Sequence, residues 1–155
     1  MEIRSAKKED IPALLKLLRQ VLTVHHVGRP DLFKPNAEKY TAPELEEILS
    51  DPKRPIFVAV EEDRVLGYAF CIYRQILGSH IRTDIQTLYI DDLCVDEACR
   101  GQQVGTGLYE YVLSVARQNH CYNVELNVWA CNESALAFYE KRGMKPQKIG
   151  METIL

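Results

Sequence analysis

The 155-residue sequence lacks several features that mark particular classes of protein. No apolar run approaches the roughly 20 residues of a membrane span, and the N-terminus has no signal-peptide pattern. There is no basic run and the net charge is −3, so neither nucleic acid nor a membrane is an expected partner. The five cysteines lack Cys-x-x-Cys spacing, which disfavours a disulfide scaffold and a zinc site. We therefore expect a cytoplasmic protein with reduced thiols and no metal.

The composition is that of one ordinary globular domain, with 46% hydrophobic and 26% charged residues. No repeat, linker or low-complexity segment divides the chain, so residues 1–155 are expected to form a single domain. The periodicities predict a three-layer α+β domain, with helices around mostly antiparallel strands and one βαβ-like crossover. Strand patterns cover residues 2–5, 56–61, 65–74, 85–95, 123–129 and 148–155. Helical patterns cover residues 11–22, 41–49, 108–116 and 132–141, and a long loop is expected at 25–40.

The rest of the chain is organised around residues 89–113, where a strand ends near Val95 and a loop leads straight into a helix. The loop and the helix start contain three glycines, which let the backbone turn and approach another molecule: Gly101, Gly105 and Gly107. The first amides of a helix lack intrahelical partners and lie at the positive end of its dipole, so they can hold phosphate. Arg100 adds a guanidinium that matches phosphate geometry. A pyrophosphate site is predicted, and a glycine-rich connection without a ligand is the alternative.

Two motifs resemble the GCN5-related N-acetyltransferase (GNAT) superfamily. Residues 100–107, Arg-Gly-Gln-Gln-Val-Gly-Thr-Gly, resemble its coenzyme A loop, Arg/Gln-x-x-Gly-x-Gly/Ala, with Gln103 at the family's first glycine in our preferred register. A register that starts at Gln102 fits the pattern literally, with Gly105 and Gly107 as its glycines. Residues 132–144 resemble its Asn-x-x-Ala-x-x-Phe-Tyr-x-x-x-Gly-Phe motif, with Met144 as the last residue. The resemblance implies the GNAT fold, a mixed sheet of six to seven strands with about four helices. It also implies acetyl-CoA-dependent transfer to a primary amine of a small molecule or peptide; a non-catalytic acyl-CoA-binding or sensing module is the alternative.

The resemblance also implies which residues would hold acetyl-CoA. Backbone groups of Leu93, Cys94 and Val95 would bind the pantetheine arm, and Asn132 would bind it from the other side. Two apolar residues would pack beside the arm, Ala135 and Phe138. The loop residues expected at the pyrophosphate are Arg100, Gly101, Gln102, Gln103, Val104, Gly105 and Thr106. No metal is implied.

Two catalytic residues are predicted. By resemblance, the Tyr139 hydroxyl faces the thioester sulfur and serves as the general acid, whereas by spacing alone it could be a core aromatic. The segment Tyr-Ile-Asp-Asp-Leu-Cys-Val resembles the polyamine acetyltransferases, in which a Glu at the position of Asp91 acts as a base through water. Strand alternation puts Asp91 and Asp92 on opposite faces unless a bulge intervenes. Asp92 is therefore expected to be structural, and a salt-bridged carboxylate is the alternative for Asp91.

The acceptor site is the least constrained part of the sequence. The resemblance implies that the segment between the first two helices builds it, together with the turn at residues 74–84. His25 and His26 could face the acceptor, and an aromatic-acidic pocket for an amine could include Asp31, Phe33 and Tyr40. A peptide N-terminus, a protein lysine, a polyamine, an aminoglycoside and an amino acid are all open as acceptors. A homodimer is also left open.

Overall fold

Five strands and four α-helices form the chain, and the computed structural model describes all residues from 1 to 155. The strands are β1 Glu2–Ser5, β2 Ile56–Glu61, β3 Arg64–Gln75, β4 Gln86–Val95 and β5 Asn123–Leu126. The helices are α1 Ile11–Gly28, α2 Ala42–Leu49, α3 Val104–Gln118 and α4 Glu133–Lys141. The strands lie side by side in chain order; β1 to β4 pair antiparallel, and β4 pairs parallel with β5. Helix α3 is the crossover that a parallel pair requires.

The sheet separates two hydrophobic clusters, one on each face. On one face Val58, Tyr68 and Phe70 pack with apolar side chains of α1 and α2. On the other face Phe57 and Ala69 pack with side chains of α3, and apolar residues of α4 lie at the margin of this cluster. Successive strand residues alternate between the clusters because the strand is pleated. The predicted α+β architecture, with a mixed sheet and four helices, is confirmed.

Two expectations about the elements are wrong. The sheet has five strands rather than six to seven, because residues 145–155 form no strand. Their apolar side chains are exposed, for example Met151 at 92%. A segment with an alternating sequence forms a strand only where a neighbouring strand is available for hydrogen bonding, and none pairs with these residues. Helix α1 continues through the histidines to Gly28, since the first breaker is Pro30, which excludes helical geometry at Arg29.

Two predicted helix ends agree with the structure. The Thr41 side chain and Glu44 form the expected capping box of α2. Gly143 follows α4 with a φ of 87°, the left-handed conformation expected just after a helix. All five cysteines are free thiols. None of the four helices has both the length and the hydrophobicity needed to cross a membrane.

A β-bulge interrupts β4 in its middle. The register with β3 shifts so that Phe70 lies opposite Asp92 while the next residue, Cys71, lies opposite Ile90. Asp91 is therefore the extra residue of the bulge, with no residue of its own opposite it. Such bulges re-aim the side chains that follow them, and this one sits at the edge of the site described below.

A buried carboxylate ties β1 to the start of α1. Arg4 donates hydrogen bonds to both oxygens of Asp10, at 2.8 and 3.0 Å, and the Lys7 amide donates a third at 2.7 Å. Burial alone would raise the pKa of the Asp10 carboxyl, but the hydrogen bonds from Arg4 and the Lys7 amide outweigh burial and lower this pKa below its ordinary value. The carboxylate thereby fixes the position of α1, which leads into the acceptor segment.

We expect Asp10→Asn to lower the free energy of unfolding by about 1–3 kcal/mol near pH 7, because Arg4 loses its charged acceptor. The lowered pKa makes this contribution full above the unfolded value of about 3.9, and it is lost as the pH falls through the folded value. Urea unfolding at several pH values measures it, with Asp63→Asn in the exposed β2–β3 turn as the control. A deficit that is the same at pH 3 and pH 7 would contradict the assignment.

Candidate active site

The sheet opens between β4 and β5. The last paired residues are Ile90 and Leu126, and β4 continues to Val95 with no strand beside it on that side. Strand β5 was expected to reach Trp129, but it ends at Leu126, so the opening begins earlier than the sequence predicts. The three residues predicted to bind the pantetheine arm lie on this free stretch of β4. The Cys94 thiol faces α1, 3.6 Å from the Leu17 carbonyl oxygen, so its backbone alone is available at the opening.

The start of α3 lies between the end of β4 and α4. A Cβ on Gly105 would come within 3.2 Å of the Phe138 ring and 3.4 Å of Val95, so a larger residue would require the Phe138 ring to shift. At the N-terminus of α4, the Asn132 side-chain oxygen accepts hydrogen bonds from the Ala135 amide and the Ser134 hydroxyl, at 3.2 Å each. The side-chain amide nitrogen of Asn132 has no protein acceptor, whereas its backbone amide donates to the Trp129 carbonyl oxygen at 2.9 Å.

The loop before α3 presents free backbone donors. No hydrogen bond within the protein uses the amides of residues 100–106, and the first bonded amide is that of Gly107, which donates to the Gln103 carbonyl. Gly101 has a φ of 79°, and Gln103 has a φ of 63°. Arg100 is exposed and makes no ion pair. Consecutive free amides at a helix start fit a pyrophosphate.

Arg142 joins this loop to α4. Its guanidinium donates to the Thr106 hydroxyl and to the Phe138 carbonyl oxygen, and it lies 3.5 Å above the Phe138 ring centroid. The Nε of Arg142 is buried without an acceptor. The arginine therefore places a fixed positive charge beside the free amides, where a diphosphate would benefit from it.

The bulge directs both aspartates away from the α3 face. Ile90 and Leu93 both pack against the cluster on that face, although three residues rather than two separate them. Asp91 and Asp92 are the two residues between Ile90 and Leu93, and the contacts of their side chains lie on the other face of the sheet. The opposite-face placement expected for a regular strand does not hold, because the bulge adds one residue to the alternation, the exception that the sequence-based expectation allowed for.

The two carboxylates have different partners. Asp91 pairs with the Lys39 ammonium at 3.1 Å, and Asp92 accepts a hydrogen bond of 2.7 Å from the Tyr68 hydroxyl. Burial raises the pKa of Asp92 above its ordinary value, although the Tyr68 hydrogen bond and the charges of Lys39 and His25 act in the opposite direction. The site thus combines an ion-paired carboxylate with one that binds protons more tightly than usual.

Tyr139 lies in α4 with its ring packed against two aromatic neighbours. The ring centroids of Tyr109 and Phe138 are 6.2 and 5.1 Å away. Burial raises the pKa of the Tyr139 phenol well above its usual value, and the charge of Asp92 raises it further. The hydroxyl makes no hydrogen bond to the protein and is not fully enclosed. A phenol in this environment remains protonated at neutral pH and available as a donor.

An aromatic pocket of about 180 Å³ lies beside Asn132. Phe33 lines it, with its ring centroid 5.3 Å from that of Trp129 and 5.1 Å from that of His25. His25 also contributes to the charge around Asp92, so the pocket lies on the same side of the molecule as the carboxylates. Its walls include Val24, His25, Val27, Phe33, Trp129 and Asn132.

The structure brings together only part of the predicted acceptor residues. Phe33 and His25 line the pocket, whereas His26 donates to the Phe33 carbonyl oxygen at 2.7 Å and holds the loop. Asp31 is not in the pocket, because both its oxygens accept from Arg29. Tyr40 stacks on the sheet instead of entering the pocket.

Three residues of the site were not singled out from the sequence: Lys39, Trp129 and Arg142. Lys39 lies in the expected loop at 25–40 and Trp129 at the end of a predicted strand, and neither belongs to a motif. Arg142 lies inside the second motif, between the matched residues Tyr139 and Gly143. This position was the only indication in the sequence that Arg142 could belong to the site.

Comparison with known proteins identifies the class. A profile described as the acetyltransferase (GNAT) family matches residues 21–144, most of the chain. The chain therefore belongs to the GNAT acetyltransferase family, whose members use acetyl-CoA as cosubstrate. The free amides, the open edge of β4 and the Asn132 amide nitrogen fit a diphosphate followed by an extended amide-containing arm.

Individual relatives span nearly the whole chain. Peptidyl-lysine N-acetyltransferase YjaB of Salmonella typhimurium is 31% identical over 148 residues, which cover 94% of this chain and 83% of the relative. A mutant of the BH1408 protein of Bacillus halodurans superposes with a TM-score of 0.95 at 31% identity, covering 100% and 99% of the two chains. Glucosamine-6-phosphate N-acetyltransferase of Arabidopsis thaliana has the same fold, with a TM-score of 0.72 at 24% identity over 99% and 97%.

We expect Gln103→Gly to raise stability by up to about 1 kcal/mol, since a left-handed residue with a Cβ costs about 1–2 kcal/mol and glycine's flexibility in the unfolded chain offsets part of this. Gln103→Val should lower stability and weaken acetyl-CoA binding, because a β-branched residue resists this conformation. Thermal unfolding with and without acetyl-CoA measures both effects. Gln102→Gly, at a neighbouring exposed position without positive φ, is the matched control. A tenfold loss of affinity in Gln103→Gly would assign binding to the side chain instead.

Proposed function

We propose that the chain is an acetyl-CoA-dependent N-acetyltransferase that acylates a primary amine by direct attack. Membership of the family supports acetyl transfer. The single observation that carries the choice of an amine is the carboxylate pair at the β4 bulge, where Asp91 holds an ammonium group at 3.1 Å. A site that binds a primary ammonium beside the opening of the sheet favours nitrogen acceptors over neutral hydroxyl acceptors.

The donor would lie along the opening between β4 and β5. Acetyl-CoA supplies the acetyl group as a reactive thioester. The amides of residues 100–106, with Arg100 and the fixed charge of Arg142, would hold its pyrophosphate. Backbone groups of residues 93–95 and the Asn132 amide nitrogen would bind the arm from its two sides, with Ala135 and Phe138 packing beside it.

Asp91 and Asp92 together would remove the proton from the acceptor. An amine acceptor arrives as an ammonium ion and must lose a proton before its nitrogen can attack a carbonyl carbon. Asp91 would contact the ammonium, and Asp92 would supply a carboxylate whose raised pKa makes it a better base. Because the two carboxylates are adjacent, the proton belongs to the pair rather than to one residue.

Tyr139 would return a proton to the departing thiolate. The raised pKa of its phenol keeps the proton on the hydroxyl at neutral pH, so the residue enters the reaction as an acid. The acceptor ammonium loses one proton to the carboxylate pair before attack, its second proton goes to solvent as the amide forms, and the sulfur gains one proton from the phenol. Net proton balance is restored when the carboxylates and the phenol exchange protons with solvent.

A lysine-like amine fits the acceptor side best. Lys39 shows that a four-carbon ammonium side chain can reach Asp91, and the aromatic pocket around Phe33 and Trp129 offers apolar surface for the rest of a substrate. The relative from Salmonella typhimurium is named a peptidyl-lysine N-acetyltransferase. We therefore rank lysine side chains of peptides first among the acceptors.

The function is tested by thiol release from acetyl-CoA with a panel of lysine peptides, polyamines, aminoglycosides and amino acids. Transfer to at least one amine supports the proposal. Raised thermal stability with acetyl-CoA but no thiol release with any amine would instead identify a module that binds the ligand without turnover. A ligand at one hundred times its dissociation constant stabilises a fold by about 2.7 kcal/mol, which thermal unfolding detects easily.

Tyr139→Phe should lower kcat by roughly 10²- to 10⁴-fold while leaving the Kd for acetyl-CoA within about twofold, because it removes the proton donor and keeps the ring packing. Tyr111→Phe is the matched control, since Tyr111 packs on Phe57 in the core. Steady-state kinetics and calorimetric binding measure the two quantities. If chemistry is rate-limiting and kcat is the same for wild type and Tyr139→Phe, Tyr139 is a packing residue of the core and not the proton donor.

The carboxylate pair should produce an acidic limb in the pH–rate profile. Because the pKa of Asp92 is raised and a base must be deprotonated, kcat/KM should fall as the pH drops through this raised value. Asp91→Asn and Asp92→Asn should both depress the rate most at neutral pH and recover in part at high pH, where free amine is plentiful. Tyr68→Phe removes a hydrogen bond that lowers the pKa of Asp92, so it should move the limb to higher pH. An unchanged limb in both Asn variants would leave deprotonation to solvent.

A further inference from the structure

Lys39 occupies the place beside Asp91 that the proposed function assigns to the acceptor amine. Its ammonium is 3.1 Å from Asp91, and the charge of Asp92 also acts on it. The same Asp92 charge acts on the Tyr139 phenol, so the lysine nitrogen and the proposed acid share one electrostatic neighbour. Any external amine that used Asp91 would have to displace this side chain.

The segment around Lys39 is held on both sides. Glu38 pairs with Arg19 of α1 at 2.7 Å. Tyr40 stacks on Phe70 with ring centroids 6.0 Å apart, and Phe70 is the residue opposite Asp92 across the β3–β4 ladder. The Lys39 ammonium also lies 5.5 Å from the Tyr40 ring centroid. These contacts fix the backbone on each side of Lys39 over the bulge, so its position is set by packing as well as by charge.

We propose that Lys39 is an internal acceptor, acetylated by the active site of its own chain. The proposal rests on the proposed function, with acetyl-CoA as the acyl donor. The Lys39 ammonium gives one proton to the carboxylate pair, and its neutral nitrogen attacks the acetyl carbonyl carbon. The new C–N bond forms as the C–S bond breaks, the thiolate takes the Tyr139 proton, and the second nitrogen proton is lost to solvent as the amide forms.

Acetylation would change the site that performs it. The product amide carries no charge, so it cannot keep the ion pair with Asp91, and the carboxylate becomes available to an external ammonium. Lys34, on the same segment, makes no ion pair or side-chain hydrogen bond and is exposed. It therefore serves as the internal comparison for non-enzymatic acetylation.

The first test uses the full chain with acetyl-CoA alone, followed by intact mass measurement and peptide mapping. Lys39 should gain one acetyl group in a first-order process whose rate constant is independent of protein concentration over about a hundredfold range. Tyr139→Phe should slow acetylation of Lys39 by roughly 10²-fold or more and leave Lys34 unaffected. Lys39→Arg keeps the cation but has no amine to acylate, so it identifies modification at other lysines. A rate constant proportional to protein concentration, or equal acetylation of Lys34 and Lys39, would overturn the proposal.

The second test needs no acetyl-CoA. In the free protein, an amine-reactive N-hydroxysuccinimide acetate should label Lys39 at least several-fold more slowly than Lys34, because Asp91 holds Lys39 as an ammonium. Asp91→Asn should reduce this difference, while Asp63→Asn should not. Equal labelling of the two lysines in the wild-type protein would overturn the placement of Lys39.

The outcomes separate the two proposals. Acetylation of external amines without modification of Lys39 would refute the internal acceptor and leave the proposed function intact. Acetylation of neither Lys39 nor any amine, despite acetyl-CoA binding, would refute the proposed function together with the inference that rests on it.

Discussion

The single extra residue in β4 determines most of the site. Without the bulge at Asp91, strict alternation would send one of the two aspartates into the cluster against α3, where a carboxylate would lose water without gaining a partner. With the bulge, both carboxylates leave that face, and the apolar side chains on either side still reach it. The bulge also coincides with the last residues at which β4 pairs with β5, so the sheet opens where the carboxylates emerge. One local irregularity thus brings two carboxylates and an open strand edge close to the loop with free backbone amides.

Most of the fold followed from sequence periodicity, and the failures have physical causes. The capping residue Thr41 correctly predicted the start of α2, and Gly143 correctly predicted the end of α4. The C-terminal strand failed because a strand needs an edge to pair with, and alternation within the segment cannot supply one. The sequence allowed for a bulge in β4 but could not give its position, because that position depends on the register with β3. Pairwise contacts such as Lys39 with Asp91 join residues far apart in the chain, so no local pattern could predict them.

Gln103 departs from the family pattern in its side chain, and its backbone has a conformation that glycine adopts most easily. The family has glycine at the corresponding position, and in this chain the backbone there is left-handed, with a φ of 63°. The conformation ends the loop and leaves the amides that follow it without protein acceptors. Free donors at a helix start are costly unless water or a ligand satisfies them. The strained residue and the unpaired amides are therefore consistent with a segment shaped for an anion rather than for stability.

The proposed acid and base are linked by one charge. Ionised Asp92 raises the pKa of the Tyr139 phenol, so the phenol is a weak acid while the carboxylate pair carries no proton. When the pair accepts a proton from the acceptor amine, part of this negative charge disappears and the phenol becomes a stronger acid. Proton transfer at the nitrogen would thereby favour proton transfer to the sulfur, in the order that acyl transfer requires. The shared burial of Asp92 and Tyr139 strengthens this coupling, because a low local dielectric screens their interaction less than water would.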